Sequence, residues 1–139
     1  MIIVRFHIQN DLLAIKQILA ENDLFYPNQN LTDFWVAEQN NKVLGILQLE
    51  NGPNYLFLSS LGVLQQYQNL GIASKMLHEL TGNATQDVYL YTIIPRFFEK
   101  HGFKIIPAPT FIPSRSRFDC NNCERDKCVC MVKKAKRSE

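Results

Sequence analysis

Residues 55–73 read YLFLSSLGVLQQYQNLGIA, and this stretch decides the fold. Its first part, 55–64, is apolar, but serines and a glycine interrupt it and it is too short to span a membrane. Such a run is typical of a buried central strand. A polar, glycine-bearing loop follows, and then Ile72, Met76 and Leu80 recur at helical spacing. The stretch therefore predicts a core strand, a loop and an amphipathic helix.

The loop has the features of an anion-binding turn. A helix N-terminus leaves backbone N–H groups without acceptors and carries partial positive charge. Gly71 and Ala73 remove side-chain bulk at this point, so a large anion can approach the backbone. Because many strand–loop–helix units bind no phosphate, this geometry alone does not decide the function.

Two segments together resemble one family. Gln68-x-x-Gly71-x-Ala73 resembles the Arg/Gln-x-x-Gly-x-Gly/Ala signature of the GNAT acetyltransferases, whose loop holds the pyrophosphate of acetyl-CoA. The segment 92–103, TIIPRFFEKHGF, is similar to the late helix and closing Gly-Phe of the same family. The resemblance covers about residues 2–132. It implies the GNAT fold, a mixed α/β domain with a mostly antiparallel sheet, flanking helices and a parallel, splayed pair formed by the fourth and fifth strands.

The same resemblance implies an acetyl-CoA site. In the family acetyl-CoA enters the gap between the splayed strands, and backbone N–H groups at the strand end hold the thioester carbonyl. The residues expected to bind it are Leu61, Gly62, Val63, Gln68, Asn69, Leu70, Gly71, Ile72, Ala73, Ser74, Thr92 and Phe98. A strand bulge is expected at Gly62, and the alternative is a glycine that packs under a helix.

The usual catalytic side chains of the family are absent. An ammonium acceptor must lose a proton before it can attack a thioester. Many members use a Glu and a Tyr, but Phe57 and Phe98 stand at the matching positions. The substitutes we predict are Glu50, Tyr91 and Ser59, with Glu38 and Ser60 as further candidates. Each of these is also an ordinary strand or turn residue.

One branch of the family is especially similar. Short N-acetylglutamate synthase-like proteins carry a Pro-x-Phe-Phe-Glu-Lys-x-Gly-Phe helix and a late Cys-x-x-Cys…Cys segment before a strand with Met. Here these are residues 95–103, the cysteines from 120 to 128, and Met131. The Glu of that branch is missing at position 57. The resemblance thus implies an amino acid as acceptor, without pointing to glutamate.

The cysteines could serve a metal. Cys120-x-x-Cys123 has metal-ligand spacing, and a strand period of two places Cys128 and Cys130 on one face. A structural zinc site and four reduced thiols both remain open. Nearby arginines, expected to lower the thiol pKa values or to meet an anionic acceptor, are Arg115, Arg117 and Arg125.

Composition sets the broader limits. The chain has 139 residues, 46% hydrophobic and 20% charged, which is typical of a globular protein. We predict one domain over 1–132, including a Cys-rich segment at 118–131, followed by a basic tail at 133–139. Neither a membrane helix nor a secretory signal is evident, so a reducing, cytoplasmic location is expected. Histidines 78 and 101 are expected to be solvated.

The sequence therefore predicts an N-acetyltransferase that uses acetyl-CoA to acetylate a small primary amine, as a monomer or homodimer. A non-catalytic acyl-CoA-binding or sensing domain is one alternative. A zinc-bearing nucleic-acid module is another, but it leaves the loop around Gly71 unexplained, and the net charge is only +2.

Overall fold

The computed structural model describes residues 1–118 and 128–136. Within them, strands and helices follow the predicted order. The strands are β1 (Ile3–Phe6), β2 (Phe34–Gln39), β3 (Lys42–Asn51), β4 (Tyr55–Val63), β5 (Asp87–Thr92), β6 (Lys104–Ile106) and β7 (Val129–Lys133). The helices are α1 (Leu12–Glu21), α2 (Ile72–Thr81) and α3 (Pro95–Glu99). The segment between α1 and β2 forms no helix.

The seven strands form one sheet in the order β1-β2-β3-β4-β5-β7-β6. Every pairing among the described residues is antiparallel except that of β4 with β5. That parallel ladder holds only three residue pairs, ends at Phe57 and Tyr89, and leaves the rest of the two strands apart. The predicted fold class, with its splayed central pair, is confirmed.

The predicted bulge at Gly62 is wrong. Gly62 pairs with Ile46 in a continuous register, and the irregularity lies further back in β4. Ser60 pairs with Gln48 and Leu58 with the next residue of β3, so Ser59 is the extra residue. The bulge therefore lies just beyond the last β4 residue that pairs with β5, where the two strands part.

Gly62 is instead a packing glycine. A Cβ at this position would lie 3.1–3.2 Å from side-chain atoms of Asn22, Ile18 and Leu24. These residues belong to α1 and to the turn that follows it. The second of the two readings of this glycine, close packing under a helix, is the one that the structure shows.

The helices α1 and α2 cover opposite faces of the sheet. Gly45 of β3 faces α2, since a Cβ there would lie 3.1 Å from Ile72 and 3.2 Å from Met76. Gly45 pairs with Val63, the residue after Gly62, and successive residues of a strand point to opposite faces. Gly62 thus lets α1 approach one face of the sheet closely, and Gly45 lets α2 approach the other.

A second, smaller core lies on the α1 side of the sheet, over its C-terminal half. Its buried members are Phe57, Tyr89, Ile112, Cys130 and Val132. The segment 107–118 covers it. Prolines keep 107–114 irregular, as predicted, and a short 3-10 turn follows at Arg115–Phe118.

Part of the predicted basic tail is bonded to the fold. Lys133 is the last residue of β7. The N–H of Ala135 donates to Asp87 Oδ1 at 2.7 Å, and the N–H of Lys136 donates to Ala84 O at 3.0 Å. None of the helices in the described ranges has the length and apolarity needed to cross a bilayer.

Candidate functional site

In the gap between β4 and β5, the described part of β4 beyond Phe57 has no strand partner on the β5 side. Leu64 N–H donates to Leu44 O of β3 at 2.9 Å. Because successive backbone groups of a strand point to alternate sides, those of Val63 and Leu61 point away from β3 and into the gap. These are the two residues predicted to hold a thioester carbonyl, and the backbone direction suits that role.

The Gln68 side chain closes the far end of the gap. Its Nε2 donates to Val63 O at 3.1 Å and to Asn22 Oδ1 at 3.3 Å. Asn22 Nδ2 donates to the same carbonyl at 3.1 Å. Gln68 therefore fixes the loop to β4 and to the end of α1 through its side chain, and the following backbone is the part predicted to face an anion.

The turn into α2 is shaped for an anion. Asn69 and Gly71 have φ angles of 66° and 82°, both in the left-handed region. The first bond from the helix back to the turn runs from Lys75 N–H to Gly71 O at 3.0 Å. The N–H groups at the start of the helix thus have no acceptor in the preceding turn. Alternating backbone conformations of this kind form anion-binding concavities.

A histidine supports the first turn of α2. His101, at the end of α3, places Nε2 3.2 Å from Ser74 Oγ. It is half-buried, so its predicted solvation is wrong. Burial lowers its pKa below the usual 6.5, and the nearby charges of Lys133, His78 and Lys100 add to the shift. The imidazole is therefore neutral at pH 7 and bonds the Ser74 hydroxyl.

This pKa shift predicts a pH dependence of stability. The unfolded chain takes up a proton near pH 6.5, whereas folded His101 resists it, so the unfolded state binds more protons just below that pH. The free energy of unfolding should fall as pH drops from 7 to 5, and less steeply in His101→Gln. Urea unfolding of both proteins at each pH measures this. Equal slopes would show that His101 is not held neutral by the fold.

The remaining predicted cofactor residues have different surroundings. Leu70 is 68% exposed beside the turn, where it can contact a ligand. Thr92 Oγ1, at the end of β5, accepts a hydrogen bond from Ile94 N–H at 2.9 Å. Phe98 is buried and packs edge to face against Phe103, so it belongs to the core.

Ser59 and Ser60 lie at the bulge on the α1 face. Ser59 Oγ donates to Gln48 Oε1 at 2.9 Å, and Gln48 Nε2 donates to the carbonyls of Asn30 and Thr32, each at 2.8 Å. Ser60 Oγ is buried and has no hydrogen-bond partner in the described part of the chain. A buried hydroxyl of this kind requires a water or a ligand atom to satisfy it.

The Tyr91 hydroxyl is bound to the covering segment. It donates to Pro113 O at 2.6 Å. Burial raises its pKa, Cys130 adds to the rise, and Arg115, whose guanidinium carbon lies 5.8 Å from the Tyr91 ring centroid, opposes it. The phenol is thus protonated at neutral pH, with its proton directed to the backbone of the segment that covers the second core.

Glu50 is ion-paired at the same face. Arg117 Nη2 donates to Glu50 Oε2 at 2.5 Å and to the Tyr26 hydroxyl at 3.2 Å. Glu50 is the register partner of Phe57, the last β4 residue that pairs with β5. This carboxylate therefore stands at the point where the two central strands part.

A family model decides the classification. The model of the acetyltransferase (GNAT) domain matches residues 30–105, more than half of the 139-residue chain. The chain belongs to the GNAT acetyltransferase family. The match contains β2 to β5, the turn at Gly71 and the start of β6.

Solved structures share the fold of this GNAT domain. N-acetylglutamate synthase from Neisseria gonorrhoeae, complexed with coenzyme A and N-acetyl-glutamate, superposes with a TM-score of 0.75 at 16% identity over 99% of this chain. Rv2747 from Mycobacterium tuberculosis, in complex with CoA and NLQ, gives 0.74 at 21% identity, covering 96% of this chain and 99% of its own. The ribosomal-protein-S18-alanine N-acetyltransferase from Escherichia coli gives 0.66 at 13%, covering 100% and 97%.

The low sequence identities, and the small share of the Neisseria synthase that is covered, limit what these similarities show. The chain spans 36% of the length of the Neisseria synthase. At such identities the likeness establishes the fold alone. No curated protein matches the chain.

The cysteines of this GNAT domain lie only partly in the described ranges. Cys120 and Cys123 fall outside them, so the four-cysteine zinc site stays a prediction. Cys130 is 5% exposed in the second core, and burial raises its thiol pKa more than Arg115 lowers it. The expected lowering is therefore wrong for this thiol. Among the described residues no group of three or more metal-ligating side chains occurs.

Sequence reasoning missed the partners of Arg117. It noted the arginine but not Tyr26, Phe118 or the pairing with Glu50. Tyr26 lies in the segment before β2 and Phe118 more than ninety residues later, yet their ring centroids are 5.0 Å apart. No spacing rule connects such distant positions. The sequence held no signal that could have found these contacts.

Proposed function

We propose that this domain transfers the acetyl group of acetyl-CoA to a primary amine. The observation that carries the proposal is the left-handed turn at Gly71, which leads into α2 beside the opened β4/β5 gap. Membership of the GNAT family supports it. Relatives of the same fold were solved with coenzyme A bound.

In this proposal the start of α2 and the gap hold the cofactor. The N–H groups of residues 71–74 bind the pyrophosphate, and the strand end at Leu61 and Val63 binds the pantetheine arm and the thioester carbonyl. Gln68 and His101 act as positioning residues, since their side chains fix the loop and Ser74.

The reaction is a direct attack. A neutral amine nitrogen forms a bond to the thioester carbonyl carbon, and collapse of the tetrahedral intermediate breaks the carbon–sulfur bond. The amine loses one proton, and the departing thiolate of CoA takes one up. Glu50 is the carboxylate at the parting of the strands and can accept the proton through water. Ser59 lies at the nearby bulge and donates a hydrogen bond to Gln48. Tyr91 donates a hydrogen bond to Pro113 in the segment that covers the second core.

The kinetics test the mechanism. If proton removal goes through water, the rate should rise with pH as more acceptor becomes neutral. Glu50→Gln, Tyr91→Phe and Ser59→Ala should then each reduce the rate by less than about a thousandfold, because no single side chain is the direct base. Release of the CoA thiol from acetyl-CoA measures this. A larger loss in one variant, with acetyl-CoA binding unchanged, would identify that residue as the direct base.

We propose the chemical class of the acceptor and leave the individual compound to experiment. We place it among small primary amines, including amino acids. The proteins that share the fold differ in their acceptors, since one was solved with N-acetyl-glutamate and another is named for an alanine of a ribosomal protein. The acceptor must therefore be found by screening amines for CoA release with acetyl-CoA present.

A second candidate function is a non-catalytic acyl-CoA sensor. It is favoured by Phe57, which is 1% exposed and cannot accept a proton at the position where many family members carry a Glu. Acetyl-CoA binding with no CoA release for any amine would support it. A structural zinc on the four cysteines, a cytoplasmic location and a monomeric or homodimeric state remain predictions. Elemental analysis of the purified protein would check the zinc.

A further inference from the structure

The Arg117 guanidinium lies among aromatic rings. Its central carbon is 5.1 Å from the Phe118 ring centroid and 6.0 Å from those of Tyr26 and Phe57. Cations within about 6 Å of an aromatic face are attracted by the ring. The carboxylate of Glu50 completes the surroundings. Three rings and one carboxylate form what we call the cation box.

The cation box stands on the α1 face of the sheet, at the point where β4 and β5 part. Phe57 ends the parallel ladder, and Glu50 pairs with it across β3 and β4. Both side chains point to the α1 face, as does the buried, unsatisfied hydroxyl of Ser60 two pairs further along β4. A group bound in the box would therefore lie beside the backbone proposed to hold the thioester.

The segment that supplies Arg117 is anchored by Ile112, a buried member of the second core, and by ring contacts of Phe111 and Phe118 with the sheet. Tyr91 holds it through Pro113 O, and Arg115 Nη1 donates to Cys128 O at 2.9 Å in an exposed position. Prolines prevent a regular ladder over 107–114. The Arg117 side chain itself is 31% exposed. Its removal from the box thus needs no change in the sheet.

We propose that Arg117 occupies the acceptor's own cation subsite. The acceptor then carries, besides the amine that is acetylated, a second cationic group, a guanidinium or an ammonium. This group replaces Arg117 between the rings and on Glu50, and the Arg117 side chain turns out into solvent while the ring of Phe118 stays in place. The inference rests on the proposed acetyl transfer, whose amine it places, and names the acceptor class as diamines and aminoalkyl guanidines.

The charges favour a cationic over an acidic acceptor. The positive charge of Arg117 is already compensated by Glu50 at 2.5 Å. A carboxylate entering the box would face Glu50 and be repelled. Displacing Arg117, in contrast, leaves Glu50 as a half-buried carboxylate next to aromatic faces, which is an environment that requires a cation.

Binding of three isosteres without acetyl-CoA tests the subsite directly. Butylguanidine is the cationic probe, butylurea its neutral isostere and butanoate the anionic one. Calorimetry should show butylguanidine binding about tenfold tighter to Arg117→Ala than to the wild type, because the internal competitor is gone. Adding Glu50→Gln should remove the gain. Butylurea and butanoate should show no gain.

Two opposite results would overturn the inference. If butanoate binds the wild type and is lost in Arg117→Ala, Arg117 is a receptor for an acidic acceptor. If butylguanidine binds folded Arg117→Ala but not the wild type, or binds neither protein, the ion pair is only a structural contact. Arg117→Gln serves where the alanine variant melts early. If the proposed acetyl transfer is wrong, the result is different. Butylguanidine then still binds, but acetyl-CoA does not bind or no CoA is released.

Discussion

Replacing Gly71 with glutamate should abolish acetyl-CoA binding. Gly71 has a φ of 82°, and nothing lies within 4 Å of a Cβ built on it, so a carboxylate there projects into the open space of the turn. A phosphate bound by the N–H groups of α2 would meet that charge directly. Two charges about 4 Å apart near a protein surface interact by about 4 kcal/mol. Calorimetry should therefore show an affinity loss of at least about 100-fold.

Gly71→Asn is the matched control. Asparagine tolerates the left-handed conformation and adds no charge, so this variant should lose far less affinity than the glutamate variant. Both variants should remain folded, because the position is open and the backbone strain costs only about 1–2 kcal/mol. Wild-type affinity in a folded Gly71→Glu protein would contradict the phosphate site. Equal losses in both variants would point to turn conformation instead of charge.

Replacing Gly62 with valine should have the largest effect on stability. A Cβ alone would approach Asn22, Ile18 and Leu24 to 3.1–3.2 Å, and Ile18 is fully buried. The two methyl groups of valine would push α1 from the sheet and strain the bond from Asn22 Nδ2 to Val63 O. Overpacking of this kind costs about 1–3 kcal/mol, and the threatened hydrogen bond brings the expected loss to about 3 kcal/mol.

Urea unfolding measures this loss, and a steric series gives its control. Gly62→Ala adds one methyl group and should cost clearly less than Gly62→Val. Gly45→Ala adds the same methyl group on the other face, 3.1 Å from Ile72 and 3.2 Å from Met76, and should also cost less than Gly62→Val. A Gly62→Val protein as stable as the wild type would show that α1 does not approach the sheet as described.

The sequence was informative about the fold wherever the signal was local. The apolar run at 55–64, the turn at Gly71 and the proline at the start of α3 each predicted an element that is present. The splay was predicted from the family resemblance and is confirmed by the short β4/β5 ladder. The position of the bulge was not predicted correctly. A glycine in a strand can serve either a bulge or the close packing of a helix, and the sequence alone does not distinguish the two.

The candidate site was predictable only in part. The turn proposed to bind an anion is contiguous in sequence, so its residues could be named in advance. The contacts of Glu50 and Tyr91 depend on residues more than twenty positions away. Their partners are Arg117, in a short 3-10 turn, and Pro113, in the irregular chain before it. No periodicity places such a segment over a particular strand. Its position follows from the packing of the second core.

The strand order β5-β7-β6 has a consequence for the route of folding. In the described chain β6 pairs only with β7, so the chain must leave a space beside β5 and fill it later with residues 129–133. Pairing across such sequence separations is slow, because loop-closure entropy is lost before contacts form. The meander of β1 to β4 and the α2 turn need none of these late pairings. Assembly of β1 to β4 and of the α2 turn should therefore precede that of the second core, which waits for β7 to dock.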